Sequence, residues 1–130
     1  MAKKQRVLNW FEKNKDYTKN LEKILASDKT FITIRLGSKW ADLLNPGDVV
    51  KISVSDNPAK PKIIGKAIVV LLKKVRLIHL SEEDLKINIG AKNIEGVFCA
   101  LEDVYGTRVS TRSVISVIGL WPEIDWSNTA

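Results

Sequence analysis

Residues 29–52 read Lys-Thr-Phe-Ile-Thr-Ile-Arg-Leu-Gly-Ser-Lys-Trp-Ala-Asp-Leu-Leu-Asn-Pro-Gly-Asp-Val-Val-Lys-Ile, and they decide the fold. Residues 30–36 are rich in β-branched side chains and stop at Gly37, which marks a strand. Alternation with a period of two places Thr30, Ile32, Ile34 and Leu36 on one face and Phe31, Thr33 and Arg35 on the other. The first face is nearly all apolar and should pack into a core. The second combines a ring, a hydroxyl and a guanidinium, which is not the composition of a plain solvated face. Trp40, Leu43 and Leu44 then follow at helical spacing. Asn45-Pro46-Gly47-Asp48 is a turn, because Pro46 presets φ and Gly47 permits positive φ. A second strand resumes at Val49. The unit is therefore strand, short helical crossing, turn, strand.

Upstream, Val7, Trp10, Phe11, Tyr17, Leu21, Ile24 and Leu25 fall close to a helical stripe. Asp16 suits an N-cap, so two helices are expected to meet near residue 15, the second leading into Lys29. Downstream, Pro58 and Pro61 exclude a central strand from the loop over 56–61. Residues 62–80 form a long β-rich run, one bent strand or two, with Gly65 at a bulge or bend. Ser81 caps a short helix whose first turn is acidic. Residues 93–105 make a second helix, with Ile94, Val97, Phe98, Leu101 and Val104 or Tyr105 on one face and Gly106 at C′. Residues 114–120 are a final strand, apolar on both faces and so buried on both. The expected core includes Ile32, Ile34, Ile52, Ile68, Val70, Phe98, Leu101, Ile115 and Val117. The chain divides into a basic helical extension over 1–15, one α+β domain over 16–122 and a tail over 123–130.

At 130 residues and 45% hydrophobic, this is one domain's worth of chain with enough apolar surface for a core. No apolar run approaches the roughly 20 residues that span a bilayer, and the start lacks a signal-peptide core. The single Cys99 excludes an internal disulfide and reads as a buried inert thiol. A reducing cytoplasmic setting follows, with no cofactor and no metal site. The net charge of +6 favours anionic partners, nucleic acid first. Over residues 57–80, Lys60, Lys62, Lys66, Lys73, Lys74 and Arg76 occur without a single acid. No membrane partner is expected, and the oligomeric state is left open.

Three short motifs, Ser27-Asp28-Lys29-Thr30, Thr33-Ile34-Arg35 and Pro46-Gly47-Asp48, resemble those of the ASCH domain family, a branch of the PUA-like fold. The resemblance extends over residues 21–121. It departs at one point, with three residues between Lys29 and Thr33 where the family has two. It implies a small PUA-like β-barrel of five to six strands with flanking helices, here with an extra N-terminal helix. It also implies a cleft that gathers Lys29, Thr30, Thr33, Arg35, Lys39, Trp40, Tyr105 and Arg108 to bind RNA, another nucleic acid or a nucleotide. Arg35 offers a planar fork for phosphate or base edges, and Trp40 or Phe31 offers a stacking surface. The structural alternatives are an Arg35 ion pair with an acid such as Asp48, and Trp40 as a barrel plug. His79 reads as a structural residue.

Some ASCH-like proteins resemble acetylcytidine amidohydrolases, which use a Lys, a Thr and a Glu. Lys29 and Thr33 match the first two. Residues 85–92, where the third belongs, contain no carboxylate. Binding without catalysis is the favoured reading. A small hydrolase acting on RNA or a modified nucleoside is the alternative, and an interaction module built on the N-terminal helix is a third.

Overall fold

Five strands and four helices carry the chain in the computed structural model, which describes residues 6–13 and 15–123. In order they are β1 (Val7–Trp10), α1 (Lys15–Leu25), β2 (Phe31–Leu36), α2 (Lys39–Leu43), β3 (Val49–Val54), β4 (Ile63–Arg76), α3 (Glu82–Lys86), α4 (Ile94–Tyr105) and β5 (Val114–Pro122). A 3-10 turn, Leu77–His79, links β4 to α3. The fold is mixed α+β. Its strands form one sheet in the order β1-β3-β4-β5-β2. β1 runs parallel to β3, and every other pairing is antiparallel.

The punctuation in the sequence acts as its chemistry dictates. Gly47 has φ +96°, and the Asn45 amide donates to the Asp48 carboxylate across the turn. Ser81 accepts from the Asp84 amide at the start of α3, and Asn93 accepts from the Gly96 amide at the start of α4. Gly106 ends α4 in the left-handed conformation at φ +62°.

The N-terminal segment differs from expectation. Residues 7–10 form a strand, not a helix, and pair with Lys51 to Val54 of β3. Leu8 is fully buried in the core, and the Asn9 side chain donates to the Ser55 carbonyl and accepts from the Ser53 hydroxyl. A strand of four residues is too short to show its period, so Val7, Trp10 and Phe11 mimic a helical stripe. The rest of the expected tail, residues 124–130, and the first five residues lie outside the described residues.

The sheet carries a core on each face. Leu8, Phe31, Val50, Ile52, Val69, Ile118 and Leu120 cluster on the inner face, joined by Leu21, Ile24 and Leu25 of α1. Ile32, Ile115, Val117, Leu77, Leu85, Val97 and Leu101 cluster on the outer face beneath α3 and α4. Both faces of β2 are thus covered at its start, and Phe31 is a core residue, 2% exposed, not a stacking surface. Two bulges bend β4, one at Ile52/Ser53 opposite Gly65 and one at Val69/Leu71. The second expels Val70, expected in the core, to 45% exposure, because a bulge residue leaves the alternation. Cys99 is also exposed, on the side of α4 away from Val97 and Leu101.

The strand order leaves β1 and β2 as the two edges. Among the described residues no backbone ladder joins them, so the sheet is open and no barrel is closed. The edges nevertheless converge, as the Arg35 side chain of β2 reaches the backbone of β1.

Candidate functional site

Where the two edges approach lies a cavity of about 620 Å³. One wall is β1 and its continuation, with Asn9, Trp10 and Phe11; the opposite wall is β2, with Thr33, Ile34 and Arg35. Trp40 of α2, the loop around Asn88, and Leu101 and Tyr105 of α4 complete it. Most lining groups are apolar or aromatic and only a few are polar, the composition of a small-molecule or nucleobase site.

Local structure fixes each wall. The Ile32 amide donates to the Ile87 carbonyl at 2.9 Å, and the Ile89 amide donates back to the Ile32 carbonyl at 2.8 Å. Asn88 therefore sits against the edge of β2, where its amide nitrogen donates to the Ala91 carbonyl. Further along, the Leu36 amide donates to the Tyr105 hydroxyl at 3.3 Å. The free edge of β2 is thus covered by a loop and a ring, which also blunts it against edge-to-edge pairing. On the other side, Ser116 accepts from the Ala41 amide and donates to the Gly37 carbonyl, which anchors α2 and with it Trp40.

Arg35 is the centre of the site. Its guanidinium lies 4.5 Å from the centroid of the Trp10 ring, and Nη1 donates to the Asn9 carbonyl at 3.0 Å. Nη2 is cut off from solvent and has no hydrogen-bond partner among the described residues. No described carboxylate pairs with Arg35, so the ion pair with Asp48 does not form. Burial pushes the guanidinium below its ordinary value, and the neighbouring Tyr105 acts in the opposite direction. Arginine stays protonated through such shifts, so the site holds a desolvated positive charge whose partners among the described residues are a carbonyl and an indole face. Such a charge is costly, and the cost is relieved by anything that brings an anion or a good acceptor to Nη2.

The eight residues grouped by family resemblance separate into two sets. Thr33, Arg35, Trp40 and Tyr105 line the cavity. Lys29, Thr30, Lys39 and Arg108 are exposed and do not line it. Lys39 places its ammonium 5.4 Å over the ring of Trp40. Trp10, Asn9, Phe11 and Asn88 belong to the lining and were not grouped with the site by sequence. Trp10 and Asn9 were hidden because their strand pairs with a partner more than 40 residues away. Asn88 stood in plain view in the break between two helices, without a charge or motif to single it out.

The basic run is less bare than its sequence. Lys62 pairs with Glu12 at 3.0 Å, Lys73 with Asp84 at 2.9 Å and Lys74 with Asp42 at 3.1 Å. No described acid lies within ion-pair distance of Lys60, Lys66 or Arg76. The positive field is therefore narrower than the count of lysines suggests. Among the described residues, no carboxylate, histidine, cysteine or lysine lines the cavity. His79 is exposed at the 3-10 turn, away from the cavity.

Comparison with family models, with curated proteins and with solved structures finds no match to this chain. No described helix is long and apolar enough to cross a membrane.

Proposed function

We propose that this chain is a nucleic-acid-binding module of the ASCH/PUA-like kind, an incomplete barrel that takes one unit of a single-stranded RNA between its two sheet edges. The observation that carries the reading is the buried Arg35 Nη2 without a partner, set in an aromatic cavity. A planar fork with one arm engaged and the other free suits the acceptor edge of a base or a phosphate oxygen. Trp10, Trp40 and Tyr105 supply ring surface, and unstacked RNA bases are the nucleic-acid groups that stack on rings. Lys60, Lys66 and Arg76 supply the long-range attraction for a polyanion. A cytoplasmic location accords with this reading.

The hydrolase reading has less support. Among the described residues no base lines the cavity with Thr33, and Lys29, the residue matched to a catalytic lysine, is exposed outside the cavity. A hydroxyl nucleophile needs a partner base to activate it. The third reading, association through an N-terminal helix, loses its helix over residues 7–10.

The test is a fluorescence titration with single-stranded RNA at several salt concentrations, on the wild type and on Arg35→Lys. Binding that weakens with salt, and weakens further in the lysine variant at unchanged thermal stability, is the expected result. The logarithm of the binding constant should fall by about 0.7 per phosphate contacted for each unit of log salt. Affinity identical in the two proteins would overturn the reading.

A further inference from the structure

Ile68 and Trp121 lie toward the start of β4 and the end of β5, at one end of the sheet. There Ile68 of β4 stands directly opposite Trp121 of β5, and Trp121 is 46% exposed. Its indole N–H donates to the Asp28 carbonyl at 2.8 Å, so one end of the ring is tied while the residue stays partly open to solvent. The bulge leaves Val70 exposed two residues along β4 from Ile68. In the neighbouring row, Lys51 of β3 stands directly opposite Lys66 of β4. Like charges facing each other across two strands repel. No described carboxylate pairs with either lysine; Glu123, which borders the row through its amide bond to the Lys66 carbonyl, forms no ion pair with Lys66. Lys29, exposed and outside the cavity, directly follows the Asp28 that holds Trp121.

We infer that this end of the outer face is a second contact surface for single-stranded nucleic acid, with a base stacked on Trp121 and a backbone phosphate bridging Lys51 and Lys66. The inference rests on the reading of the chain as an RNA binder and adds a surface separate from the Arg35 cavity. Charge selects the occupant. Two facing lysines gain from a polyanion. In a symmetric dimer through this face, each copy would bring the same facing lysines to the contact. An apolar partner would bury both without compensation. A ring fixed at one end loses little freedom on stacking, and stacking tolerates any base.

The test compares a mononucleotide with a uridine oligonucleotide longer than the cavity, about 12 nucleotides. The proteins are the wild type, Trp121→Ala, Trp121→Phe, the double variant Lys51→Gln/Lys66→Gln and Arg35→Met. The wild type should bind the oligonucleotide more tightly than the mononucleotide. Trp121→Ala and the double lysine variant should lose at least about fivefold of oligonucleotide affinity, with mononucleotide affinity unchanged. Trp121→Phe should retain most of it, because a ring remains. Arg35→Met should weaken both ligands. Oligonucleotide affinity equal to wild type in Trp121→Ala and in the double lysine variant overturns the second surface while leaving the cavity reading intact. Loss of mononucleotide binding in no variant, Arg35→Met included, overturns the cavity reading alone. Two other outcomes also overturn the second surface: a wild-type dimer that Trp121→Ala converts to monomer, and binding to anionic phospholipid vesicles but not to the oligonucleotide.

Discussion

Arg35 and Asn9 join the two edges of the sheet through a side chain, where a closed barrel would use a backbone ladder. The bond runs from Nη1 to a main-chain carbonyl at 3.0 Å, and the second arm of the fork is left over. A purely structural tie would not need a charge there, since no described acid pairs with it. Arg35→Met should therefore leave the fold intact, with a melting temperature within a few degrees of wild type or above it. Ligand affinity should fall by roughly tenfold or more, the value of a charge-assisted hydrogen bond. Calorimetry on the same two samples checks both. A large loss of stability with unchanged affinity would make Arg35 a fold element only.

The three ion pairs of the basic run are not equivalent. Asp84 is the most enclosed of the acids, with 11% of its side chain exposed, whereas both partners of the Lys62–Glu12 pair are open to water. Lys73→Ala strips an enclosed carboxylate of its cation and should cost about 1–3 kcal/mol. Lys62→Ala should change stability by less than about 1 kcal/mol, as exposed pairs do. Urea denaturation separates the two, and equal losses would contradict the distinction.

Gly119 of β5 stands directly opposite Leu71 of β4. A Cβ at that position would lie 2.6 Å from the Cβ of Leu71, a contact that neither strand can accept unmoved. Gly119→Ala should destabilise by about 1–3 kcal/mol. Leu71→Ala added to it should not restore stability, because alanine keeps the clashing Cβ. Recovery in that double variant would place the strain elsewhere.

The Lys74 ammonium beside Asp42 holds its carboxyl below the ordinary 3.8, helped by a side-chain hydrogen bond from Ser38. A carboxyl lowered on folding contributes stability above its unfolded value and loses it as pH falls through the folded one. The contribution of Asp42 is thus present above pH 3.8 and vanishes below it. The melting temperatures of wild type and Asp42→Asn should differ slightly at pH 6 and converge toward about pH 2. A gap that widens on acidification would reverse the sign.

Much of the fold was legible because its signals are local. β2, the Asn45–Asp48 turn, the Ser81 and Asn93 caps, α4 with Gly106, and the doubly buried β5 each announce themselves within a dozen residues. Arg35 was legible too, as the one charge on its row of β2. What could not be read depends on distant partners. Alternation sorts Phe31 and Thr33 onto one face but does not say that Leu8 covers it. The apolar run through Val70 hides a bulge that only the register against β5 reveals. Grouping Lys29, Thr30, Lys39 and Arg108 with Arg35 followed family resemblance, and all four are exposed outside the cavity.

The parallel pairing of β1 has a consequence for the order of assembly. Asn9 and Ser55 are 46 residues apart, so the wall carrying Trp10 stays unseated until β3 has been made and has found it. Contacts of long sequence separation form late, after a local hairpin such as β3 with β4 has begun to close. During synthesis the earliest strand of the sheet therefore waits, with Leu8 and Trp10 open to solvent or to any chaperone that holds apolar segments. Loosening the N-terminal end, by a bulky fusion or a trimmed strand, should erase the cavity while most of the two cores still forms.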